Sequence, residues 1–247
     1  MPKKLDYSAA WSDATGLLNA HREAVLAIAG FFLFVVGWAF AFLVPEPDIE
    51  GVETFAEILS VLQAHFAANW MYILPVTLIG SYGSFVLYVL LSGRDLTKVG
   101  DALTIALSRF VPYFIVSLIV GWIVILGLAA FLVPGLYLGA RLATLPATMA
   151  ANTALGIGGG IKETWATTAG IGWKTFFLLA VVVIVTWLIT MVVNTIIGLM
   201  CVLIAGPEGI PLVQSGIAAL LSTIQGVILI ALITAIYRQL KPQALNQ

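Results

Sequence analysis

The sequence predicts an all-α, polytopic membrane protein with six transmembrane helices. Two observations carry this prediction, the composition and the length of the apolar stretches. Of 247 residues, 61% are hydrophobic and 9% are charged, whereas charged residues make up about 25% of an ordinary soluble domain. A helix that crosses a bilayer needs about 20 mostly apolar residues. The predicted spans, within a single membrane domain 1–247, are residues 24–44, 71–91, 111–133, 136–153, 175–204 and 212–236.

The positive charges predict the orientation of these helices. Ten of the eleven Lys and Arg residues lie in the N-terminal segment, in 92–110, in 159–174 and in the C-terminal tail. The stretch 46–57 carries five acidic residues and no Lys or Arg. Because Lys and Arg are enriched in cytoplasmic loops, we expect both termini to be cytoplasmic. Residues 1–22 are too polar for a cleavable signal, so we expect them in the mature protein.

Four stretches outside the spans repeat their apolar residues at helical spacing and predict amphipathic interfacial helices. Residues 5–22, 103–110 and 161–172 belong to the predicted cytoplasmic side, and residues 52–66 belong to the opposite side. Three tryptophans are the predicted docking residues of the cytoplasmic helices: Trp11, Trp165 and Trp173. The glycine-rich run 156–160 is expected to be a flexible loop.

Arg141 is the one cation that hydropathy places inside the membrane. It follows Pro134 by seven residues, which predicts a depth of about 10 Å below the extracytoplasmic end at about 1.5 Å per residue. No Asp or Glu lies in any predicted span, and a charge at membrane depth is costly unless it is paired. Candidate partners are Glu208, Asn194 or the phosphate of an outer-leaflet lipid. Arg141 is therefore a structural group, a contact for an anionic lipid or amphiphile, or a contact for a transported solute.

Polar residues recur at helical spacing within two of the predicted spans. In the fourth span, positions i, i+3, i+7 and i+11 place four polar residues on one helix face: Arg141, Thr144, Thr148 and Asn152. In the fifth span, Thr190 and Asn194 are one turn apart. Such residues turn away from lipid. They either hold the helices together through hydrogen bonds or line the path of a ligand.

The region around Arg141 resembles a known family. The residues that carry the resemblance are Pro134-Gly135-Leu136-Tyr137-Leu138-Gly139-Ala140-Arg141-Leu142, then Glu163-Thr164-Trp165, then Gly170-Ile171-Gly172-Trp173. This pattern resembles the bacterial YciC-like inner-membrane proteins and the related membrane domain fused to some glycerophosphodiester phosphodiesterases. The resemblance implies a multi-pass protein of a bacterial inner membrane with a role near lipid metabolism. Asn152 stands near the position where the family usually has an acidic residue.

The sequence disfavours an enzyme. Hydrolysis of a phosphodiester needs clustered carboxylates and histidines, and the two histidines, His21 and His65, lie on opposite predicted sides. No metal site or cofactor is predicted. The run 156–160 lacks the Gly-Lys-Ser/Thr end of a phosphate-binding loop, and no basic face for nucleic acid is present.

Three functions remain open. The first is a non-enzymatic membrane protein that binds or moves an anionic lipid, with Arg141 as the charge contact and the polar residues above as lining. The second is an accessory or scaffold subunit of a larger membrane complex, with other subunits or further copies of the chain as partners. The third, a small-solute transporter, lacks the intramembrane carboxylate that ion-coupled carriers commonly use.

Overall fold

A computed structural model describes residues 5–44, 47–48, 51–52, 54–92, 99–206 and 210–241. This part of the chain is helical and contains no β-strand. The helices are α1 (Tyr7–Ala20), α2 (Arg22–Ala29), a π-helical segment (Gly30–Val35), α3 (Val36–Leu43), α4 (Phe55–Leu91), α5 (Val99–Ala130), α6 (Leu132–Leu142), α7 (Leu145–Ala151), α8 (Ile157–Thr167), α9 (Gly172–Ala205) and α10 (Pro211–Leu240). The prediction of an all-helical protein is confirmed.

Five helical stretches are long and apolar enough to cross a membrane: Arg22–Leu43, Ala56–Leu91, Val99–Leu128, Gly172–Ala205 and Pro211–Leu240. By length and composition the chain is a multi-pass membrane protein. Five of the six predicted spans fall in these stretches. The remaining one, the fourth span at 136–153, is divided between α6 and α7, which have 11 and 7 residues. Neither of these helices is long enough to cross a bilayer by itself.

Two of the predicted interfacial helices are continuous with the spans that follow them. Residues 52–66 were expected to form a separate helix, but α4 runs without interruption over 37 residues. It begins at a capping box in which Thr54 and Glu57 bond each other's main-chain N–H groups. Residues 103–110 likewise belong to α5. Pro75 lies inside α4 and Pro112 inside α5, and neither proline ends its helix.

The turn between α5 and α6 lies at Phe131, whose backbone is extended with φ −153° and ψ 121°. The sequence predicted the turn at Pro134-Gly135, and this prediction is wrong. Pro134 lies in the first turn of α6, where a missing N–H leaves no helical hydrogen bond unmade. Gly135 lies against α5, and a Cβ there would be 2.4 Å from the Leu128 nitrogen. The glycine therefore permits close contact between two antiparallel helices.

The glycine-rich run 156–160 is not a loop. Gly156 is the N-cap of α8, and residues 157–160 form its first turn. Gly160 is buried, and a Cβ at this position would be 3.2 Å from Met149 Cγ on α7. Gly160 thus permits close packing of α8 on α7.

The well-packed core lies at the end of the bundle that holds both described termini. It includes the last turns of α4, from Phe85 to Leu91, and the last turns of α10. At this end α1 packs on α10 through Ala10, Ala14 and Leu17, all of which are buried. Glu163 of α8 forms an ion pair with Lys241, directly after α10. We call this end, which comprises α1, α8 and the last turns of α10, the terminus side.

Candidate functional site around Arg141

Arg141 lies in the last turn of α6, one residue before that helix ends at Leu142. Only 6% of its surface is exposed. A guanidinium stays charged at any physiological pH, so the structure buries a permanent positive charge. Its surroundings therefore decide what the site is able to bind.

Three hydrogen bonds join the Arg141 side chain to its neighbours. Nε donates to Thr168 Oγ1 at 3.0 Å, and Nη1 donates to Tyr137 Oη at 3.2 Å. Nη2 donates to the main-chain oxygen of Trp165. In return the Thr168 hydroxyl lies 2.9 Å from the Arg141 carbonyl oxygen, to which it donates. These bonds attach the end of α6 to the end of α8 and to the turn that follows it.

Aromatic rings cover the guanidinium. Arg141 Cζ is 3.9 Å from the centroid of the Trp165 ring and 5.8 Å from that of Tyr137. The Tyr137 ring in turn contacts Trp173, with centroids 5.4 Å apart. The first residue of α9 is Gly172, where a Cβ would be 2.7 Å from both Arg141 Cδ and Tyr137 Cε2. The start of α9 therefore closes the site from a third direction.

The charge of Arg141 is not neutralised by a carboxylate within the described part of the chain. The ion pair found there, between Glu163 and Lys241, does not include Arg141. A guanidinium has five N–H groups, and the three hydrogen bonds above account for three of them. Two N–H groups and one full charge remain available to an anion.

Three buried threonine hydroxyls near Arg141 in the chain or in its contacts have no hydrogen-bond partner among the described residues: those of Thr144, Thr164 and Thr175. Thr144 follows Arg141 by three residues, Thr164 precedes Trp165, and Thr175 is one turn after Gly172. Most buried hydroxyls in proteins have a partner. Thr148 shows the usual arrangement, because its hydroxyl donates to the Thr144 carbonyl oxygen at 3.0 Å. The unpartnered oxygens are therefore a feature of this corner of the protein.

Arg141 contacts the terminus side through α8. Its partners Trp165 and Thr168 follow Glu163, which is paired with Lys241 at the end of α10. The segment from Pro134 to Arg141 is continuous in α6, and Arg141 lies ten residues, about 15 Å, beyond the turn at Phe131. Its predicted depth below the extracytoplasmic end stays a prediction.

The polar face predicted for one continuous helix is interrupted. Ala143 and Thr144 form a turn between α6 and α7, so Arg141 and Thr148 lie on different helices. Thr144 and Thr148 are buried. Asn152 is exposed at the C-terminal cap of α7, where its Oδ1 accepts from the Ala154 N–H at 3.3 Å. The structure brings Thr144 close to Arg141 along the chain and turns Asn152 to the surface.

The other predicted lining residues are far from Arg141. Thr190 and Asn194 are half-buried on α9, at 18 and 22 residues beyond Gly172. At about 1.5 Å per residue these positions are roughly 27 and 33 Å along the helix. Asn194 is therefore not a partner of Arg141. Glu208, the predicted acidic partner, lies outside the described residues.

The three predicted docking tryptophans all reach the surface. Trp11 of α1 is 47% exposed, and Trp165 and Trp173 are 41% and 45% exposed. Trp165 also contacts the Arg141 guanidinium, and the sequence did not predict this contact. Tyr137 and Thr168 were also missed. Tyr137 was open to prediction because it precedes Arg141 by four residues, which places it on the same helix face. Thr168 is 27 residues away and gives no such signal.

The groups at this candidate site are of kinds that bind anions in proteins. Arg141 supplies a fixed charge and free N–H groups, and the threonines supply hydroxyls. The described residues contain no group of three or more His, Cys, Asp and Glu side chains placed to hold a metal. Comparisons with protein-family models, curated proteins and solved structures return no significant match. The resemblance to YciC-like proteins thus rests on the motif around Arg141 and stays a prediction.

Proposed function

We propose that this multi-pass membrane protein binds the phosphate of an anionic membrane lipid at Arg141 and carries out no reaction there. The observation that carries the proposal is the buried guanidinium with two unused N–H groups and no carboxylate beside it among the described residues. A buried charge without a counter-ion is strongly unfavourable. Phosphate oxygens fit the guanidinium well, because two parallel N–H groups bond two oxygens.

Three neighbouring features support binding of an anion. The hydroxyls of Thr144, Thr164 and Thr175 are free to donate. The first turn of α9 has main-chain N–H groups and no side-chain cap at Ile171, and the N-terminus of a helix favours negative charge. Lys174 is exposed in that same turn. Together these groups form a positive region at the end of the bundle.

In this proposal the lipid comes from the leaflet on the terminus side, since Arg141 contacts that side through α8. The helices α6 and α7 together act as the predicted fourth span and return the chain to the terminus side. The distribution of Lys and Arg predicts that this side is cytoplasmic. The resemblance to the YciC-like proteins predicts that the membrane is a bacterial inner membrane. The ligand is therefore an anionic phospholipid of the cytoplasmic leaflet.

Native mass spectrometry of the gently solubilised protein tests the proposal. Wild type is expected to keep an anionic phospholipid that Arg141→Ala loses. Arg109→Ala is the matched control, because it removes an exposed Arg from α5 and should keep the adduct. An arm with added inorganic phosphate distinguishes a headgroup site from a free phosphate site. Equal adducts in wild type and Arg141→Ala would contradict lipid binding at this residue.

A second pair of variants separates ligand binding from folding. Thr164→Val removes a buried hydroxyl that has no protein partner, so we expect the fold to persist and the lipid adduct to weaken. Thr234→Val is the control, because the Thr234 hydroxyl is buried but donates to Ile230 in its own helix. If both variants retain lipid equally, the Thr164 hydroxyl has no part in binding.

A scaffold function is the second candidate, and the exposure of α9 favours it. This helix is apolar along its whole length but buries few residues, with exposed Val181, Trp187, Ile196 and Leu203 on its surface. Such a surface is covered by lipid or by another membrane helix. The subunit mass in the same experiment decides between these states. A fixed assembly that persists at low lipid content supports the scaffold, and a lipid-bearing single chain contradicts it.

A further inference from the structure

Two adjoining cavities lie within the membrane-spanning part of the bundle, away from Arg141. The first has a volume of about 410 Å³ and lies between the π-helical segment with α3, α4 and α10. The second, of about 510 Å³, lies between α3, α9 and α10. Ala41 and Ala218 line both cavities, so the two adjoin each other. Volumes of this size are typical of small-molecule sites.

Small residues create the space in the first cavity. Gly80 on α4, Gly37 in α3 and Gly226 on α10 line it, and a Cβ at any of the three would meet no atom within 4 Å. The π-helical segment also lines it through Phe32 and Leu33. π-Helical turns are rare and occur frequently at functional sites. The space is therefore built by the sequence and by an uncommon backbone conformation.

The first cavity presents an apolar wall to a ligand. Its hydroxyl groups include those of Ser84 and Thr223, which donate to Gly80 and Ala219 of their own helices at 2.9 and 2.8 Å. Ser84 and Thr223 are therefore already bonded and do not require a polar ligand, and the remaining hydroxyl of this lining is that of Ser222. A hydrocarbon chain is chemically compatible with this apolar lining.

The second cavity has a polar end. Asn194 and Gln214 line it, and neither side-chain amide has a hydrogen-bond partner within the described part of the chain. Both residues are half-buried. An unpaired amide at membrane depth costs several kcal/mol. We therefore expect a ligand at these two side-chain amides to carry polar groups that accept and donate hydrogen bonds.

We propose that the two cavities hold one electrically neutral membrane lipid of the diacylglycerol type. A hydrocarbon chain lies along the first cavity, and the ester and hydroxyl groups bond Asn194 and Gln214. An amide both donates to an ester carbonyl and accepts from a hydroxyl. None of the described residues that line either cavity is charged, so a phosphate headgroup has no counter-ion among them. This site is separate from the anionic site at Arg141.

Size favours a lipid chain over another helix as the occupant. Along α10 the lining extends from Pro211 to Ile230, about 29 Å at about 1.5 Å per residue. This length is within the hydrocarbon thickness of a bilayer, about 30 Å. A helix about 10 Å wide and of this length has roughly twice the volume of the two cavities together.

The test uses a diacylglycerol that carries a diazirine in one acyl chain, in vesicles of phosphatidylcholine. After illumination, mass spectrometry maps the labelled peptides of the full-length protein. We expect saturable labelling on α4 and α10 that unlabelled diacylglycerol displaces. Gly226→Leu fills space that the ligand would occupy in the first cavity and should lower the labelling about tenfold, which is about 1.4 kcal/mol of binding free energy. Labelling of Gly226→Leu at the wild-type level would overturn the proposal.

Matched variants keep this result interpretable. Gly121→Leu makes the same change on α5, outside both cavities and with open space around its Cβ, and should label as wild type does. Thermal unfolding confirms that both variants fold. Phosphatidic acid with the same chains should compete at least about tenfold more weakly, and equal competition would overturn the neutral headgroup. Gly226→Leu should keep the anionic adduct in native mass spectrometry, so a failure here is distinguishable from a failure of the Arg141 site.

Discussion

Arg141 and Trp165 are joined twice. The Arg141 Nη2 donates to the Trp165 carbonyl oxygen, and the Arg141 Cζ lies 3.9 Å from the centroid of the Trp165 ring. One residue of α8 thus contacts the guanidinium with both its main chain and its side chain. Because α6 and α8 are separated in sequence by α7, this double contact closes a loop of 24 residues. Substitutions that remove the hydrogen bonds of Arg141 or its ring contact separately are expected to change the free energy of unfolding by different amounts.

Arg141→Lys tests whether the shape of the guanidinium is needed. An ammonium keeps the charge but cannot reach Thr168, Tyr137 and Trp165 in the same plane. Hydrogen bonds from charged groups contribute about 1.5–3 kcal/mol each, so we expect a loss of about 3 kcal/mol in the free energy of unfolding. This corresponds to a fall in Tm of roughly 6 °C or more. Thermal unfolding in detergent measures it, and Arg109→Lys, an exposed site, should be nearly unchanged.

Trp165→Ala tests the ring contact alone, because the main-chain carbonyl remains. A cation–π contact away from water contributes about 1–2 kcal/mol. We therefore expect a smaller loss of stability than for Arg141→Lys. A double-mutant cycle with Arg141→Met isolates the pair. Strictly additive losses would show that the ring and the guanidinium do not stabilise one another.

Gly135→Ala tests the close contact between α5 and α6. The added Cβ would be 2.4 Å from the Leu128 nitrogen, and this neighbour is main chain, which cannot rotate away. We expect a loss of about 1–3 kcal/mol, the usual cost of overpacking. Gly121→Ala on α5 has open space around its Cβ and should be neutral or slightly stabilising, since Ala favours helix over Gly. Equal stability of the two variants would contradict the packing described here.

Glu163→Gln tests the ion pair that joins α8 to the end of α10. The side chains of Lys241 and Glu163 are 30% and 19% exposed, so solvent screens part of their attraction. We expect a loss of less than about 1 kcal/mol. The difference in Tm between this variant and wild type should shrink as NaCl is raised, because salt screens exposed charges. A difference that is independent of salt would assign the effect to packing instead.

The apolar stretches predicted the long helices well, because a run of about 20 apolar residues has few other stable states. The ends of α9 and α10 fall within a few residues of the predicted spans. The fourth span was predicted less well. It was predicted as one continuous helix face, but the chain breaks at Ala143 and Thr144, and Pro146 occupies the first turn of α7.

The sequence also identified Arg141 as the central residue of the site, because a cation at membrane depth is rare. Its partners were beyond sequence reasoning for a physical reason. One is a main-chain carbonyl, which every residue has, and another, Thr168, is brought near only by the packing of α8 on α7. Asn194 was grouped with Arg141 because both are polar and intramembrane. Asn194 lies far along α9 from the end that contacts Arg141. Shared polarity therefore does not predict that two residues are close in space.

The 37 residues of α4 extend over about 55 Å, nearly twice the hydrocarbon thickness of a bilayer. The excess lies in the early, amphipathic turns, which would stand in the headgroup region. These turns carry exposed Leu59, Leu62 and Phe66, which a thicker bilayer would cover and a thinner one would leave in water. We therefore expect the stability of the protein to depend on the length of the surrounding acyl chains.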